Sequence, residues 1–388
     1  MNESGAPVSG PSAQVLEDLE IVRRALRHHL PADAKPRAVY LSGGFARGES
    51  GHYSHNGRSL PFGDYDVDVV VPRPLLELEK QSVFDDLEEQ LSYRSVNSPS
   101  EPTLVADARV HNVLDLRFKT PEEFHVRPPD LAYYDFLQGH RLLEGEDLVK
   151  GMKPLEQWEI SLISPWRILG NRLILCLKHV DTDFLERDPT PHETLAFRLA
   201  RCRLYLDLAG LLVFLLGEYR TRYDERIEVL RNSKGLWRGW IEKPEVFIDR
   251  LEKIRQFKLN PSLEQITGPA LFSEWFQTAK DVGQMMPHLI NLILLSKQTP
   301  TEKIFEIMNK PAGTGGAAPP TIDPFAVDWS PLVARQFRSY PSLFYRDFID
   351  HYIRRSGRKL PAAKTLASLA SRYYGSYENA TWRGRKWV

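Results

Sequence analysis

Two neighbouring stretches, LSGGFARGES (residues 41–50) and FGDYDVDVVV (residues 62–71), decide the predicted fold of the first part of the chain. AVYLS (38–42) is typical of a strand, and the glycine pair that follows ends it. In the second stretch acidic and apolar residues alternate, which predicts a strand with valines on one face and aspartates on the other. The chain therefore places a glycine turn and a row of carboxylates beside two predicted strands.

The carboxylates of Asp64, Asp66 and Asp68 point to one side of their predicted strand. Like charges this close repel one another and raise one another's pKa unless something compensates them. A divalent cation would compensate them, and hard Mg²⁺ prefers carboxylate oxygens. The alternative is a solvated strand with an acidic face. We expect Asp64 and Asp66 to be the ligating pair, since they lie nearest the loop, with Asp66 and Asp68 as the other possible pair.

The glycine turn has a chemistry of its own. Gly43 and Gly44 permit a close approach of the backbone, and backbone N–H groups that follow a strand can hold a phosphate. The Ser42 hydroxyl adds a donor, and Arg47 is placed to reach a phosphate with its forked guanidinium. The turn thus predicts a nucleotide-binding group of Ser42, Gly43, Gly44 and Arg47, although an ordinary turn has the same pattern.

Together the two stretches resemble the signature of the nucleotidyltransferases of the DNA polymerase β superfamily. The matching residues are Leu41-Ser42-Gly43-Gly44, Arg47-Gly48-Glu49 and Asp64-Tyr65-Asp66. The resemblance implies a third carboxylate on a neighbouring strand. Asp115 fits this role within RVHNVLDLRF (109–118), which alternates as a strand does and places His111 and Arg117 on the same face. The alternative for Asp115 is an ion pair with Arg117 on a solvated strand, and Asp107 is the weaker candidate for the third carboxylate.

The resemblance also implies an activity. It implies that two Mg²⁺ ions, with Mn²⁺ as an alternative, lie between Asp64, Asp66 and Asp115 while a nucleoside monophosphate moves from an NTP, expected to be ATP, to an acceptor hydroxyl. The acceptor could be a small molecule, an RNA end such as that of tRNA, or a protein side chain. Two alternatives stay open, namely a cyclic-oligonucleotide synthase of bacterial antiphage signalling and an inactive fold that serves as an antitoxin or RNA-binding scaffold.

One feature departs from that signature. Nineteen residues separate Gly44 from Asp64, which is longer than the spacer usual in these enzymes. We interpret residues 50–63 as an inserted loop that lies next to the nucleotide.

The rest of the chain predicts an α+β protein, in which a mixed sheet with flanking helices precedes a mostly α-helical domain. Helical patterns over 12–30 and 75–91 flank the predicted strands, and β signals nearly vanish from about residue 130. The predicted ranges are a disordered start (1–11), a catalytic domain (12–128), a helical domain that closes the acceptor cleft (129–308), a flexible linker (309–324) and a basic, aromatic C-terminal segment (325–388). In residues 329–388 there are 12 Lys and Arg against 3 Asp and Glu. This excess makes nucleic acid a possible partner.

Bulk composition excludes several classes of protein. Lys and Arg number 51, as do Asp and Glu, so the net charge near zero argues against a general electrostatic binder. The two cysteines, Cys176 and Cys202, lie in apolar patterns, which predicts buried free thiols in a cytoplasmic protein. The polar start is unlike a signal peptide. LYLDLAGLLVFLL (204–216) is shorter than the roughly 20 residues of a membrane span and predicts a buried helix.

Overall fold

The chain is an α+β protein, as the sequence predicts. The computed structural model describes residues 13–55, 57–91, 114–162, 187–296 and 300–308, together with a few residues between 163 and 186. A mixed sheet with helices is followed by a mostly helical region. The predicted disordered start, the linker and the basic C-terminal segment lie outside the described residues, as do Asp107 and His111.

A four-stranded mixed sheet organises the first half of the chain. Its strands are β1 (Ala38–Ser42), β4 (Tyr65–Val70), β5 (Leu114–Lys119) and β6 (Arg141–Gly145), in the order β5-β4-β1-β6. β1 is antiparallel to both of its neighbours, β4 and β6, whereas β4 and β5 run parallel. The strands predicted over 38–42 and 64–71 are therefore confirmed, and the one predicted over 109–118 is described from Leu114 onward.

One face of the sheet carries the main hydrophobic core. Helices α1 (Ala13–His29) and α3 (Glu77–Leu91) pack against each other and cover this face. Their apolar residues recur at helical spacing, which is why one side of each helix is buried. The strand residues they cover are the alternate ones that include Val39, Leu41, Val67, Val69, Leu114 and Leu116. Both helices agree with the predicted ranges.

The opposite face of the sheet is divided between an aromatic cluster and polar groups. Two short helices, α4 (Pro121–His125) and α5 (Leu131–Gly139), bring Phe124 and Phe136 against Tyr40. This cluster buries Ala38 and Val70 at one end of the strands. At the other end the same face carries the polar side chains of Ser42, Asp66 and Asp115.

Two predictions of local structure are wrong. The predicted loop over 50–63 contains a two-stranded hairpin, β2 (His52–His55) and β3 (Arg58–Pro61), with Gly57 at a positive φ in its turn. Within the range predicted to be helical (129–308), residues Arg141–Gly145 instead form β6, because the chain bends after α5 and pairs with β1. A short helix, α2 (Gly43–Ala46), directly follows β1.

Contacts divide the chain into two compact units. The sheet unit comprises residues 1–164 together with 219–226 and 252–263, and the helical unit comprises residues 165–218, 227–251 and 264–388. The ranges predicted for the domains stay a prediction. The later helices are α6 (Pro191–Leu215), α7 (Tyr223–Asn232), α8 (Lys234–Trp237), α9 (Pro244–Leu259), α10 (Gly268–Ser296) and α11 (Thr301–Met308).

The helical unit is built around α6, most of whose residues are buried. A capping box of Thr190 and Glu193 begins this helix, with Pro191 at its first turn. The apolar run at 204–216 is buried within it, as predicted. Cys176 and Cys202 are buried free thiols, which confirms that prediction. Among the described helices, none has the length and apolar character needed to cross a membrane.

Candidate active site

Register places three of the predicted site residues side by side. Ser42 is the Cα partner of Asp66 across β1 and β4, and Asp66 is the partner of Asp115 across β4 and β5. Residues in register on neighbouring strands project to the same face of a sheet. The sheet therefore lines up one hydroxyl and two carboxylates on three adjacent strands.

The carboxylates on this face differ sharply in exposure. The side chain of Asp115 is 47% exposed and that of Asp66 is 31% exposed, whereas that of Asp68 is 1% exposed. Asp66 and Asp115 can therefore meet a ligand from solvent without rearrangement, whereas Asp68 cannot. Asp64 lies directly before β4 and is partly exposed.

The glycine turn approaches Asp66 directly. Gly43 has a φ of +69°, which disfavours any residue with a Cβ. A Cβ at this position would also collide with the Asp66 carboxylate. At Gly44 a Cβ would collide with the Ser50 hydroxyl. A side chain at either position would therefore displace a neighbouring side chain, and Gly43 brings the backbone of the turn against a candidate metal ligand.

Arg117 connects the members of this face. Its guanidinium lies 3.4 Å from Asp115 and 3.8 Å from Asp66, and it donates to the Ser42 hydroxyl at 3.3 Å. We call Ser42, Gly43, Asp66, Asp115 and Arg117 the carboxylate site. Arg117 supplies the positive charge that two neighbouring carboxylates need, and although burial opposes it, the carboxylates of Asp68, Asp66 and Asp115 raise the pKa of the guanidinium.

Asp68 belongs to a buried ionic cluster beside the carboxylate site. Three cations contact its carboxylate, with Lys119 at 2.9 Å, Arg117 at 3.1 Å and Arg127 at 3.2 Å. Burial alone would raise the pKa of this carboxyl, but the three cations outweigh burial and lower it. The guanidinium of Arg127 also lies over the rings of Phe124 and Phe136, 4.6 Å and 4.2 Å from their centroids. Asp68 is thus committed to cations of the protein itself.

Arg47 has different surroundings from those that the sequence suggests. Its side chain is buried and forms an ion pair with Glu49 at 2.7 Å. The side chains of Ser42, Asp66 and Asp115 come together, whereas the partners of Arg47 lie in the segment after α2 and around Tyr223. Within the described part of the chain no three His, Cys, Asp or Glu residues form a group that could hold a metal ion.

Comparison with known proteins adds one finding. No protein-family model matches the chain, and no curated protein matches it. The chain is similar to the spectinomycin adenyltransferase AAD(9) from Enterococcus faecialis, whose crystal structure was solved with ATP and spectinomycin. That match has a TM-score of 0.39 and 14% sequence identity, and it covers 69% of this chain and 98% of the other. Likeness at this level carries no argument about the activity, which has to be inferred from the geometry of the site.

Sequence reasoning placed Arg117 on the face of Asp115, with an Asp–Arg pair on a solvated strand as the alternative, but it missed Lys119 and Arg127. Arg117, Lys119 and Arg127 all contact Asp68, and the first of them also contacts both exposed carboxylates. A signal was present for two of them, because LDLRFK alternates so that Asp115, Arg117 and Lys119 share one face. Arg127 gave no such signal, since it follows α4 and reaches Asp68 only through the packing of that helix on the sheet.

Proposed function

We propose that this chain is a Mg²⁺-dependent nucleotidyltransferase that moves a nucleoside monophosphate from an NTP, with ATP expected, to an acceptor hydroxyl and releases pyrophosphate. One observation carries the proposal. Asp66 and Asp115 are in register on parallel strands, both are partly exposed, and Gly43 brings a turn of the backbone against Asp66. A carboxylate pair beside such a turn suits a metal bound together with a triphosphate.

The donor set fits magnesium. Mg²⁺ is usually held by one or two protein carboxylates, with water and substrate phosphate oxygens completing its shell. Asp66 and Asp115 would supply the two carboxylates, and Asp64 is the candidate for a further one. Asp68 is a poor candidate because it is buried among three cations. This favours Asp64 with Asp66 over Asp66 with Asp68 as the acidic pair of β4. When bound, Mg²⁺ (or Mn²⁺) would neutralise charge on the phosphates and the attacking oxygen.

The chain's own groups would divide the remaining work. Ser42, Gly43 and Gly44 would contact the triphosphate, since this turn lies directly against Asp66. Asp115, the most exposed carboxylate of the site, would accept the proton of the attacking hydroxyl. Arg117 would supply positive charge beside both carboxylates. Positioning and charge compensation would then account for most of the rate enhancement.

Nucleotide binding gives a test that needs no acceptor. Wild type, Asp66→Asn and Asp115→Asn are titrated with ATP in the presence of Mg²⁺ by calorimetry. Asp85→Asn is the matched control, because Asp85 is an exposed carboxylate on α3 that accepts a hydrogen bond from Gln81. We expect metal-dependent binding that the two site variants weaken and the control retains.

Transfer is then measured with ATP labelled at the α- or the γ-phosphate, with Mg²⁺ and a cell extract. We expect the α-label to be transferred to the acceptor and the γ-label to be released in pyrophosphate. Asp115→Asn should lower the rate of transfer by about 10²–10⁴-fold. Fractionation into small molecules, RNA and protein identifies the acceptor class. A cyclic product formed without extract would instead indicate an oligonucleotide synthase. Transfer that is unchanged in both site variants, or no nucleotide binding by wild type, would contradict the proposal.

A further inference from the structure

Arg47 and Glu49 form a buried ion pair directly after the glycine turn. The Nε atom of Arg47 donates to Oε2 of Glu49 at 2.7 Å, and the two side chains are 8% and 7% exposed. Removing two charges from water is costly unless each compensates the other and their remaining hydrogen bonds are made. Burial would lower the pKa of Arg47, but Glu49, Asp135 and Tyr223 together outweigh burial and raise that pKa. The guanidinium is therefore engaged inside the protein.

This pair is tied to the glycine turn through the backbone. The Glu49 N–H donates to the Gly44 carbonyl at 2.7 Å, which closes the segment that follows α2. Gly48, between the two charged residues, has a φ of +69° and donates to the Phe45 carbonyl at 3.3 Å. A displacement of Glu49 would therefore move Gly44 and with it the turn that lies against Asp66.

The same pair is tied to a segment far away in sequence. Oε1 of Glu49 accepts the backbone N–H of Tyr223 at 2.5 Å. The guanidinium of Arg47 lies 5.8 Å from the centre of the Tyr223 ring, which also has Arg226 at 5.2 Å and Lys258 at 5.6 Å. All of these residues belong to the sheet unit. One carboxylate thus joins the start of α7 to the turn after β1.

The side chain of Arg47 is also confined by its neighbours. A Cβ at Gly139, the last residue of α5, would lie 2.9 Å from Cδ of Arg47. The side chain therefore runs past the end of α5 to reach Glu49. Turning it towards the carboxylate site would break the bond to Glu49 and leave that carboxylate buried without its cation. Leaving a buried charge without its partner strongly destabilises a fold.

We infer that Arg47 and Glu49 are a positioning pair, through which the backbone of Tyr223 fixes the glycine turn, and that Arg47 does not bind the phosphates itself. The inference rests on the proposed function, because it concerns how the turn holds a nucleotide. It replaces the expectation from the sequence that Arg47 contacts a phosphate. The guanidinium of Arg47 instead contacts the carboxylate of Glu49 and the aromatic ring of Tyr223.

The direction in which Glu49→Gln changes ATP affinity distinguishes a phosphate-binding Arg47 from a positioning pair. If Arg47 binds phosphate, Glu49→Gln removes a competing anion and leaves ATP affinity unchanged or higher. If the pair positions the turn, Glu49→Gln weakens ATP binding, by about tenfold for a loss of about 1.4 kcal/mol. In the second case Arg47→Lys and the double variant should lose no more than Glu49→Gln alone, since residues that act as one unit are not additive. Affinities are measured by calorimetry with Mg²⁺ and ATP.

The control is Arg73→Gln, which removes an ion pair with Asp33 and Glu79 elsewhere in the sheet unit. It should lower the thermal midpoint without changing ATP affinity. Hydrogen–deuterium exchange of peptides that span residues 40–48 gives a second measurement without nucleotide, and Glu49→Gln should speed exchange there more than the control does. Unchanged exchange and unchanged or tighter ATP binding in Glu49→Gln would overturn the inference. Faster exchange in Glu49→Gln, together with a wild type that binds no ATP, would support the positioning role while the proposed function fails.

Discussion

Gly43 and Asp66 are so close that a Cβ at position 43 would displace the Asp66 carboxylate. The glycine has a left-handed backbone, and a Cβ on it would enter the volume of the Asp66 carboxylate. Two separate constraints, one of conformation and one of space, thus act at a single residue. The two effects can be measured separately, because another glycine of the chain, Gly57, has the left-handed backbone without the collision.

Gly43→Ala should destabilise the fold more than Gly57→Ala. Gly57, in the turn of the β2–β3 hairpin, has a φ of +74°, and a Cβ added there would have no neighbouring atom within 4 Å. Gly57→Ala should cost about 1–2 kcal/mol, the cost of left-handed backbone alone. Gly43→Ala adds the collision with Asp66, so its free energy of unfolding should fall further, as measured by denaturant titration. Equal losses in the two variants would show that Asp66 moves away freely.

Asp68→Asn should be among the most destabilising changes of one carboxylate in the sheet unit. It leaves Arg117, Lys119 and Arg127 around a neutral amide, and loss of one partner in buried ion pairs costs about 3–5 kcal/mol. Asp85→Asn, at an exposed carboxylate on α3, is the control and should change stability by less than about 0.5 kcal/mol. The free energy of unfolding at neutral pH is the measurement.

The pH dependence of that difference has a defined sign. The pKa of Asp68 is lower in the folded chain than in the unfolded chain, because three cations outweigh the effect of burial. Its contribution to stability is therefore present above about pH 4, the ordinary aspartate pKa, and lost as the pH falls through the folded pKa. The stability curves of wild type and Asp68→Asn should converge in acid. Curves that stay parallel down to about pH 2 would contradict this account of the cluster.

Tyr65→Phe should show that the core behind the carboxylate site contains an essential hydrogen bond. The Tyr65 hydroxyl is buried, donates to Asp18 of α1 at 2.7 Å and lies 3.3 Å from Nε2 of His52. Loss of a hydrogen bond to a buried carboxylate should cost about 1–3 kcal/mol. Tyr134→Phe is the control, because among the described residues its hydroxyl accepts only a long hydrogen bond of 3.5 Å from Gln157. Equal losses of stability in the two variants would contradict the contribution assigned to the Tyr65–Asp18 hydrogen bond.

Thiol labelling should follow burial. Burial raises the pKa of the Cys176 thiol to about 12, and Cys202 is buried as well. Since the thiolate is the reactive form, neither cysteine should react with a disulfide reagent at about pH 8 in the folded chain. Both should react in guanidinium chloride. The absorbance of the thiol that the reagent releases gives the number of cysteines that have reacted. Rapid labelling of one thiol under native conditions would place that cysteine nearer the surface.

The sequence predicted the centre of the fold better than its edges. The apolar run over 38–42 and the alternation over 64–71 predicted β1 and β4, both of which are buried along nearly their whole length. β6 was missed, since RLLEG is a short edge strand whose pairing with β1 is a tertiary contact. The hairpin at 52–61 could have been found, because Asn56-Gly57 between short polar strands is a common hairpin turn.

For the candidate site, the sequence indicated the residues on regular elements and missed those that depend on packing. Ser42, Asp66 and Asp115 share a face because strand register determines it, and they were predicted as part of one site. The surroundings of Arg47 could not be predicted, since its ring contact and the donor to Glu49's second oxygen come from Tyr223, 174 positions after Glu49. Whether Asp64, Asp66 and Asp115 bind metal stays a prediction.

The sheet unit is assembled from segments that are not contiguous in the chain. Gly51 donates to the Lys258 carbonyl at 3.0 Å, and a Cβ on this glycine would collide with the Leu259 carbonyl. During synthesis the ribosome would need on the order of 5–20 s to make the roughly 100 residues between Ser164 and Leu263. Until then the nascent sheet lacks the backbone that Gly51 contacts. A nascent chain paused before residue 263 would therefore expose an incomplete unit to chaperones and proteases.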